Sequence, residues 1–391
     1  MAAARFRDVA AVGQFRALWL AHAQSRVGDQ LARVALSVLV FERTRSPAWT
    51  ALTYAMTILP NLAGGTLLAG LADRFDRRTV MVVADVVRAG LVAVMVIPGQ
   101  PIAVLVVLLC LVQLPFAPFS AARNAILPRV LHGDRYMVGL AVMRTTDQLG
   151  LVGGIAVGAA LVTCLGTSTT LLIDAATFAA SAMLIGLGVG RHRPPRAGHK
   201  TRLSGGLQTV AGNPQLRALT AIACVNGFYV VPESLAVPYA AQLDQGTGAV
   251  GWLLAAVPAG SIVGMIWLKG LRPDLRLRLM APLTVATCAI LVPSAWAPVL
   301  AVSVVLWAAS GLASAHDMVV QGAFVQRAPD ESRGQAIGLA GAAMQAAQGL
   351  GIVLAGLLAQ VLTPAAVVGL AGAAGVVAAV GAAALWRRAA I

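Results

Sequence analysis

The amino-acid sequence predicts an all-α membrane protein of twelve spanning helices in two six-helix bundles, and three observations lead there. Of its 391 residues, 59% are hydrophobic and only 11% charged, against about a quarter charged in soluble domains, so the apolar excess needs lipid as its solvent. The apolar residues fall into runs that reach or approach the ~20 residues a spanning helix requires. Backbone groups in lipid must be satisfied within the segment itself, which makes each run a helix. The longest connection, residues 191–215, divides the runs six and six.

In chain order the expected spans are Leu18 to Phe41, Ala51 to Leu71, Val80 to Ile97, Ile102 to Leu127, Met137 to Leu165 and Thr170 to Val189, then Leu216 to Leu243, Gly248 to Leu268, Leu279 to Pro293, Val299 to Val320, Gly334 to Val361 and Ala365 to Trp386. The first is interrupted by Arg26, Asp29 and Arg33 and no small-residue cleavage site precedes it, so it reads as a retained span and not a leader. The domains are then residues 1–190, a linker at 191–215 and residues 216–391. The halves echo one another: Gly70-Leu71 before a charged cluster matches Gly270-Leu271 before Asp274, Arg276 and Arg278, and Gln148 matches Gln348.

Twenty-nine basic against fifteen acidic residues give a net charge of +14. Position decides what that charge is for. It sits between apolar runs in clusters such as Arg74, Arg77, Arg78 and Arg191, Arg193, Arg196, with no basic face interleaved with aromatics, which excludes a nucleic-acid partner. Only Arg43 and Arg45 fall on the side reached after the first span, so basic-loop asymmetry puts both termini in the cytoplasm. Cys110, Cys164, Cys224 and Cys288 lie singly inside apolar runs and read as small hydrophobes. No phosphate-cradling glycine loop, metal-ligand cluster or Ser/His/Asp set is present, which argues against an enzyme, ATP-driven transport or a bound cofactor.

The loop Gly70-Leu71-Ala72-Asp73-Arg74-Phe75-Asp76-Arg77-Arg78 resembles the signature between the second and third helices of the major facilitator superfamily. It departs at Ala69, where the family usually has glycine, and at Asp76, which replaces another. Phe15-Arg16-Ala17-Leu18-Trp19 leading to Gly28-Asp29, Ser120 through Pro128, Asp174-Ala175-Ala176-Thr177-Phe178 and Ser332-Arg333-Gly334 resemble the branch containing the enterobactin exporter and macrolide efflux proteins. The resemblance implies two bundles rocking about a central cavity. It also implies a latch in which Asp73 faces the positive end of the eleventh helix and Arg74, Arg77 and Arg78 pair with cytoplasmic acids such as Asp134. Asp85, Arg88 and Arg123, read as close to the cytoplasmic edge, join this gate network. The glycine-rich fifth span, Gly150 to Gly158, has Gly154 where exporters of the superfamily carry proline, and its small residues let helices approach closely.

Ionisable groups inside the membrane cost at least about 2.5 kcal/mol on insertion scales, so each should be paired or face a wet cavity. Arg26, Asp29 and Arg33 share one face of the first span, and Arg144, Asp147 and Gln148 reach the midplane of the fifth. In the second half the candidates are Asn226 and, after Pro232, Glu233. The structural alternative is an ion-pair cluster that only orients the first span, an Arg144 to Asp147 pair that stabilises the bundle, and for Glu233 a group at the membrane interface. Asp174 reads as an acid capping the sixth span, and His316 and Asp317 as groups at a helix end. A buried carboxylate that takes a proton on one side and releases it on the other would make the proton gradient the energy source, with Asp29 and Asp147 as carriers.

These residues point to a secondary transporter, expected as a monomer, in contact with membrane lipid in a bacterial cytoplasmic membrane. The resemblance favours export of a drug, antibiotic or siderophore-like molecule, whereas charge alone also allows import of a metabolite; a receptor or scaffold is the competing class. Arg26, Arg33 and Arg144 outnumber Asp29 and Asp147, which favours an anionic substrate.

Overall fold

A computed structural model describes residues 6–61, 64, 68, 71–191, 203–296, 299–329 and 332–389, and contains no strand among them. The principal helices are α1 (Gly13–Thr44), α2 (Pro47–Ala55), α3 (Arg77–Met95), α4 (Ile102–Val130), α5 (134–165), α6 (167–188), α7 (Pro214–Gln242), α8 (Thr247–Lys269), α9 (Pro273–Ala289), α10 (Leu300–Arg327), α11 (Arg333–Leu358) and α12 (Pro364–Ala389). Eight stretches are long and apolar enough to cross a membrane, one of them holding both α5 and α6. Each run of the sequence therefore becomes helix, except that much of the second lies outside the described residues, as do linker residues 192–202.

Local chemistry fixes where these helices begin. Asp76, the departure from the signature, is the N-cap of α3: its carboxylate accepts from the Thr79 backbone N–H at 3.1 Å, satisfying a donor the first turn leaves open. Asn213 does the same for α7, followed by Pro214 in the first turn. Helices α5 and α6 meet at Gly166, whose φ of 81° and ψ of 169° form a conformation open essentially to glycine alone.

The chain forms two compact units, residues 1–39 with 56–198 and residues 40–55 with 199–391. Residues 40–55 group with the second half of the chain. The reason is contact: Tyr54 of α2 donates to Glu233 of α7 at 2.5 Å, and Gly356 of α11 leaves no room for a side chain beside Ala48 and Ala51.

In the first unit, Phe15, Leu18, Met81, Phe119, Ile126 and Ile185 pack one core from α1, α3, α4 and α6. Helix α5 lies backbone-close to α1, since a Cβ at Gly154 would sit 2.9 Å from the Gln30 Cβ and 3.1 Å from the Val27 carbonyl oxygen. The second unit repeats this contact: a Cβ at Gly351 of α11 would fall on the Gly227 carbonyl of α7. Residues 154 and 351, and residues 30 and 227, are both 197 apart. The glycines of the fifth span thus serve close packing, Gly150 and Gly158 also abutting α1 while Gly153 meets nothing.

Candidate functional site

Three residues of α1 recur on one face at i, i+4 and i+7: His22, Arg26 and Asp29. They organise the polar interior of the first unit. His22, 3% exposed, donates from Nε2 to Asp147 of α5 at 2.9 Å and accepts at Nδ1 from Arg123 of α4 at 2.5 Å. Accepting at one ring nitrogen while donating from the other makes His22 a neutral imidazole in this arrangement. Arg26 Nε lies 3.2 Å from the same Asp147 oxygen, and its Nη1 is 3.5 Å from Asp29. Arg26 therefore bridges two carboxylates on different helices.

Beyond Arg26 the network enters a sealed layer. Asp29 pairs with Arg88 of α3, which also donates to the Val112 carbonyl at 3.1 Å and lies 4.0 Å from both Asp85 and the centre of the Phe178 ring. Asp85 accepts from Ser181 of α6 at 2.5 Å. Asp174, one turn before Phe178 on α6, is fully buried; its Oδ1 and the Thr177 hydroxyl fill the space a Cβ at Gly28 would need.

A cavity of about 660 Å³ opens on the near side of this network, with Arg26, Arg123, Arg144, Asp147, Asn124 and Tyr136 among its walls. Three guanidinium groups there face one carboxylate. Phe116 adds an aromatic wall, its ring centre 6.0 Å from the Arg26 guanidinium.

The second unit holds a separate polar cluster. Tyr229 of α7 donates to Asp317 of α10 at 2.6 Å, Asn226 donates to the Tyr229 hydroxyl at 2.8 Å and to Asp317 at 3.3 Å, and Gln348 of α11 donates to Asn226 at 2.7 Å. His316 is buried, with Nδ1 3.0 Å from the Ala313 carbonyl and Nε2 3.6 Å from Asp317.

Several expected placements change. Asp85 and Arg88 join Asp29 in the interior and not a group at the cytoplasmic edge, because α3 presents both toward α1 and α6. Asp174 is no cap: it stands well inside α6, two turns past Gly166, among buried charges. Asp317 accepts from two side chains of α7 and is more than a helix-end group. Arg77 and Arg78 donate to the Ala125 and Gly186 carbonyls near the ends of α4 and α6, and Arg74 is exposed. The side chains of Asp73 and Asp134 lie outside the described residues. Arg33 is half-buried one turn past Asp29, and Gln148 is exposed. His22, Ser181 and Tyr229 were missed; for His22 the signal was its spacing from Arg26 and Asp29.

The sequence matches the family profile described as Major Facilitator Superfamily over residues 18–297. The multidrug efflux pump Tap of Mycobacterium tuberculosis (strain ATCC 25618 / H37Rv) is 29% identical over 350 residues, covering 84% of this chain and 83% of that protein. Tap of Mycolicibacterium fortuitum is 28% identical over 358 residues, 85% and 86% of the two chains. Among solved structures, a bacterial homologue of the human lysosomal transporter Spinster superposes with a TM-score of 0.69 at 15% identity, over 99% of this chain and 96% of that one. The nucleoside transporter NupG (D323A mutant) gives 0.72 at 14%, over 96% and 99%. At such identities these two likenesses speak for the fold.

Proposed function

This chain belongs to the major facilitator superfamily, and from that premise we propose that it is a proton-coupled efflux transporter of small molecules working by alternating access. The observation that carries the reading is the unbroken line of ion pairs from the cavity wall inward, Asp147 to Arg26 to Asp29 to Arg88. A carboxylate on the cavity wall shares its cation with one in the sealed layer. Protonation or substrate binding at Asp147 therefore changes what Arg26 does for Asp29. Coupling of transport to protons needs such a connection between a wetted site and buried charge.

The cavity also bears on cargo. Arg26, Arg123 and Arg144 against Asp147 leave a positive wall, which suits a substrate with a carboxylate or phosphate-like group beside an apolar body for Phe116. The multidrug efflux pumps named above support the export direction. The protein then works as a monomer in a bacterial cytoplasmic membrane with both termini inside, drawing on the proton gradient and no bound cofactor.

The test is transport by the full chain in liposomes under an imposed pH gradient, with panels of anionic and cationic fluorescent amphiphiles. Proton-driven movement toward the acidic side, lost in Asp147→Asn while exchange without a gradient persists, is the expected result. Movement down the cargo gradient alone, indifferent to pH, would overturn the coupling. Preference for cations would overturn the substrate class.

A further inference from the structure

The described interior of the first unit shares its cations unevenly among its acids. From α1 come His22, Arg26 and Asp29, from α3 Asp85 and Arg88, from α4 Arg123, from α5 Asp147 and from α6 Asp174. With His22 neutral, four carboxylates share the guanidinium groups of Arg26, Arg88 and Arg123; Arg33 is half-buried one turn past Asp29 on α1, and Arg144 stands exposed on the cavity wall.

Geometry says where a proton belongs. Asp147 is held by His22 and Arg26, and Asp29 by Arg26 and Arg88. Asp85 receives the Ser181 hydroxyl at one oxygen and has Arg88 4.0 Å from the other. Asp174 has no cation within ion-pair distance among the described residues: its Oδ1 is 3.4 Å from the Thr177 hydroxyl, and its Oδ2 is buried with no hydrogen-bond partner there. That side chain is fully buried and interacts electrostatically with Asp29 and Arg88. An isolated ionised carboxylate in such a place is far more costly than a neutral one.

We propose that Asp174, with Asp29 and Asp85 around Arg88, forms a proton-binding site that holds one proton on the Asp174 carboxyl in this conformation. When Arg88 swings toward Asp174, that carboxyl releases its proton and Asp29 is left to accept one, handing it outward past Arg26 to Asp147. No covalent bond between heavy atoms changes; a proton moves from one carboxyl oxygen to another. Use of this proton in transport rests on the efflux reading above, but its presence does not.

The experiment is infrared difference spectroscopy of the full chain in liposomes, stepping the buffer pH and exchanging H₂O for D₂O. The wild type is expected to show a protonated carboxylic acid C=O band at neutral pH that shifts in D₂O. The band should persist in Asp147→Asn and disappear in Asp174→Asn. Should Asp174→Asn fail to fold, Thr177→Val, which removes the hydroxyl beside that carboxyl, is expected to shift the band. Absence of any such band in the wild type, its survival in folded Asp174→Asn, or an unshifted band in Thr177→Val overturns the proposal. Liposome transport separates the two readings: the band without pH-driven transport leaves the proton site standing and removes the efflux reading.

Discussion

Replacing Arg88 by methionine isolates the energetics of the sealed layer. The side chain is 1% exposed and its guanidinium serves the Asp29 carboxylate, the Val112 carbonyl and the face of Phe178. Removing one partner of a buried pair typically costs about 3–5 kcal/mol, because the other charge is stranded. The orphaned Val112 carbonyl adds about 1–3 kcal/mol, though the contributions overlap and do not sum. We expect Arg88→Met to lose about 4 kcal/mol, close to a thousandfold in the folded-to-unfolded ratio. The double variant Asp29→Asn/Arg88→Met, which removes both partners, should regain about half of that loss or more. Equilibrium unfolding in mixtures of mild and denaturing detergent, followed by tryptophan fluorescence, measures both. A single variant within about 1 kcal/mol of wild type, or a double variant no better than the single, would refute the claim that this pair is buried and mutually dependent.

Other perturbations follow from the same geometry. Gly166→Ala should cost about 1–3 kcal/mol of stability through backbone strain alone, since nothing lies within 4 Å of the added Cβ, and Asn at that position should not rescue it. Gly351→Leu should cost at least about 1–3 kcal/mol, because its side chain would displace the Gly227 backbone; detergent unfolding reads out both glycine variants. Tyr239→Phe, which removes the 2.7 Å hydrogen bond to buried Ser303, should lower stability by about 1 kcal/mol without changing transport. Arg144→Gln should weaken binding of anionic relative to cationic probes in a fluorescence titration, and equal weakening of both would count against an anion-selective wall.

The fold was readable because lipid imposes a single rule on every apolar run, and outside the second span the helix limits followed from it to within seven residues. The site was readable only along one helix at a time. Arg26 with Asp29, and Arg144 with Asp147, were visible as neighbours on a face, yet the structure joins Arg26 to Asp147 and Arg88 to Asp29. Such partnerships depend on how far one helix is slid and turned against another, which periodicity does not encode. Asp174 illustrates the difficulty: an acid early in a span suits the helix dipole, and only the turn at Gly166 puts it about two turns into α6. The grouping of residues 40–55 with the second unit was hidden for the same reason, since the chain runs through α1 without any break in composition.

Helix α5 meets α1 at Gly154 against the Gln30 side chain and the Val27 carbonyl, and α7 and α11 touch backbone to backbone at Gly351. Where helices pack this closely, there is little slack to absorb a displacement. The residues mounted on either member, His22 and Arg26 facing Asp147, or Asn226 facing Gln348, are spaced by these contacts. Any response to cargo must then be carried outward by the joined rods as a body, in the manner of a lever whose stiffness is set at one point of contact.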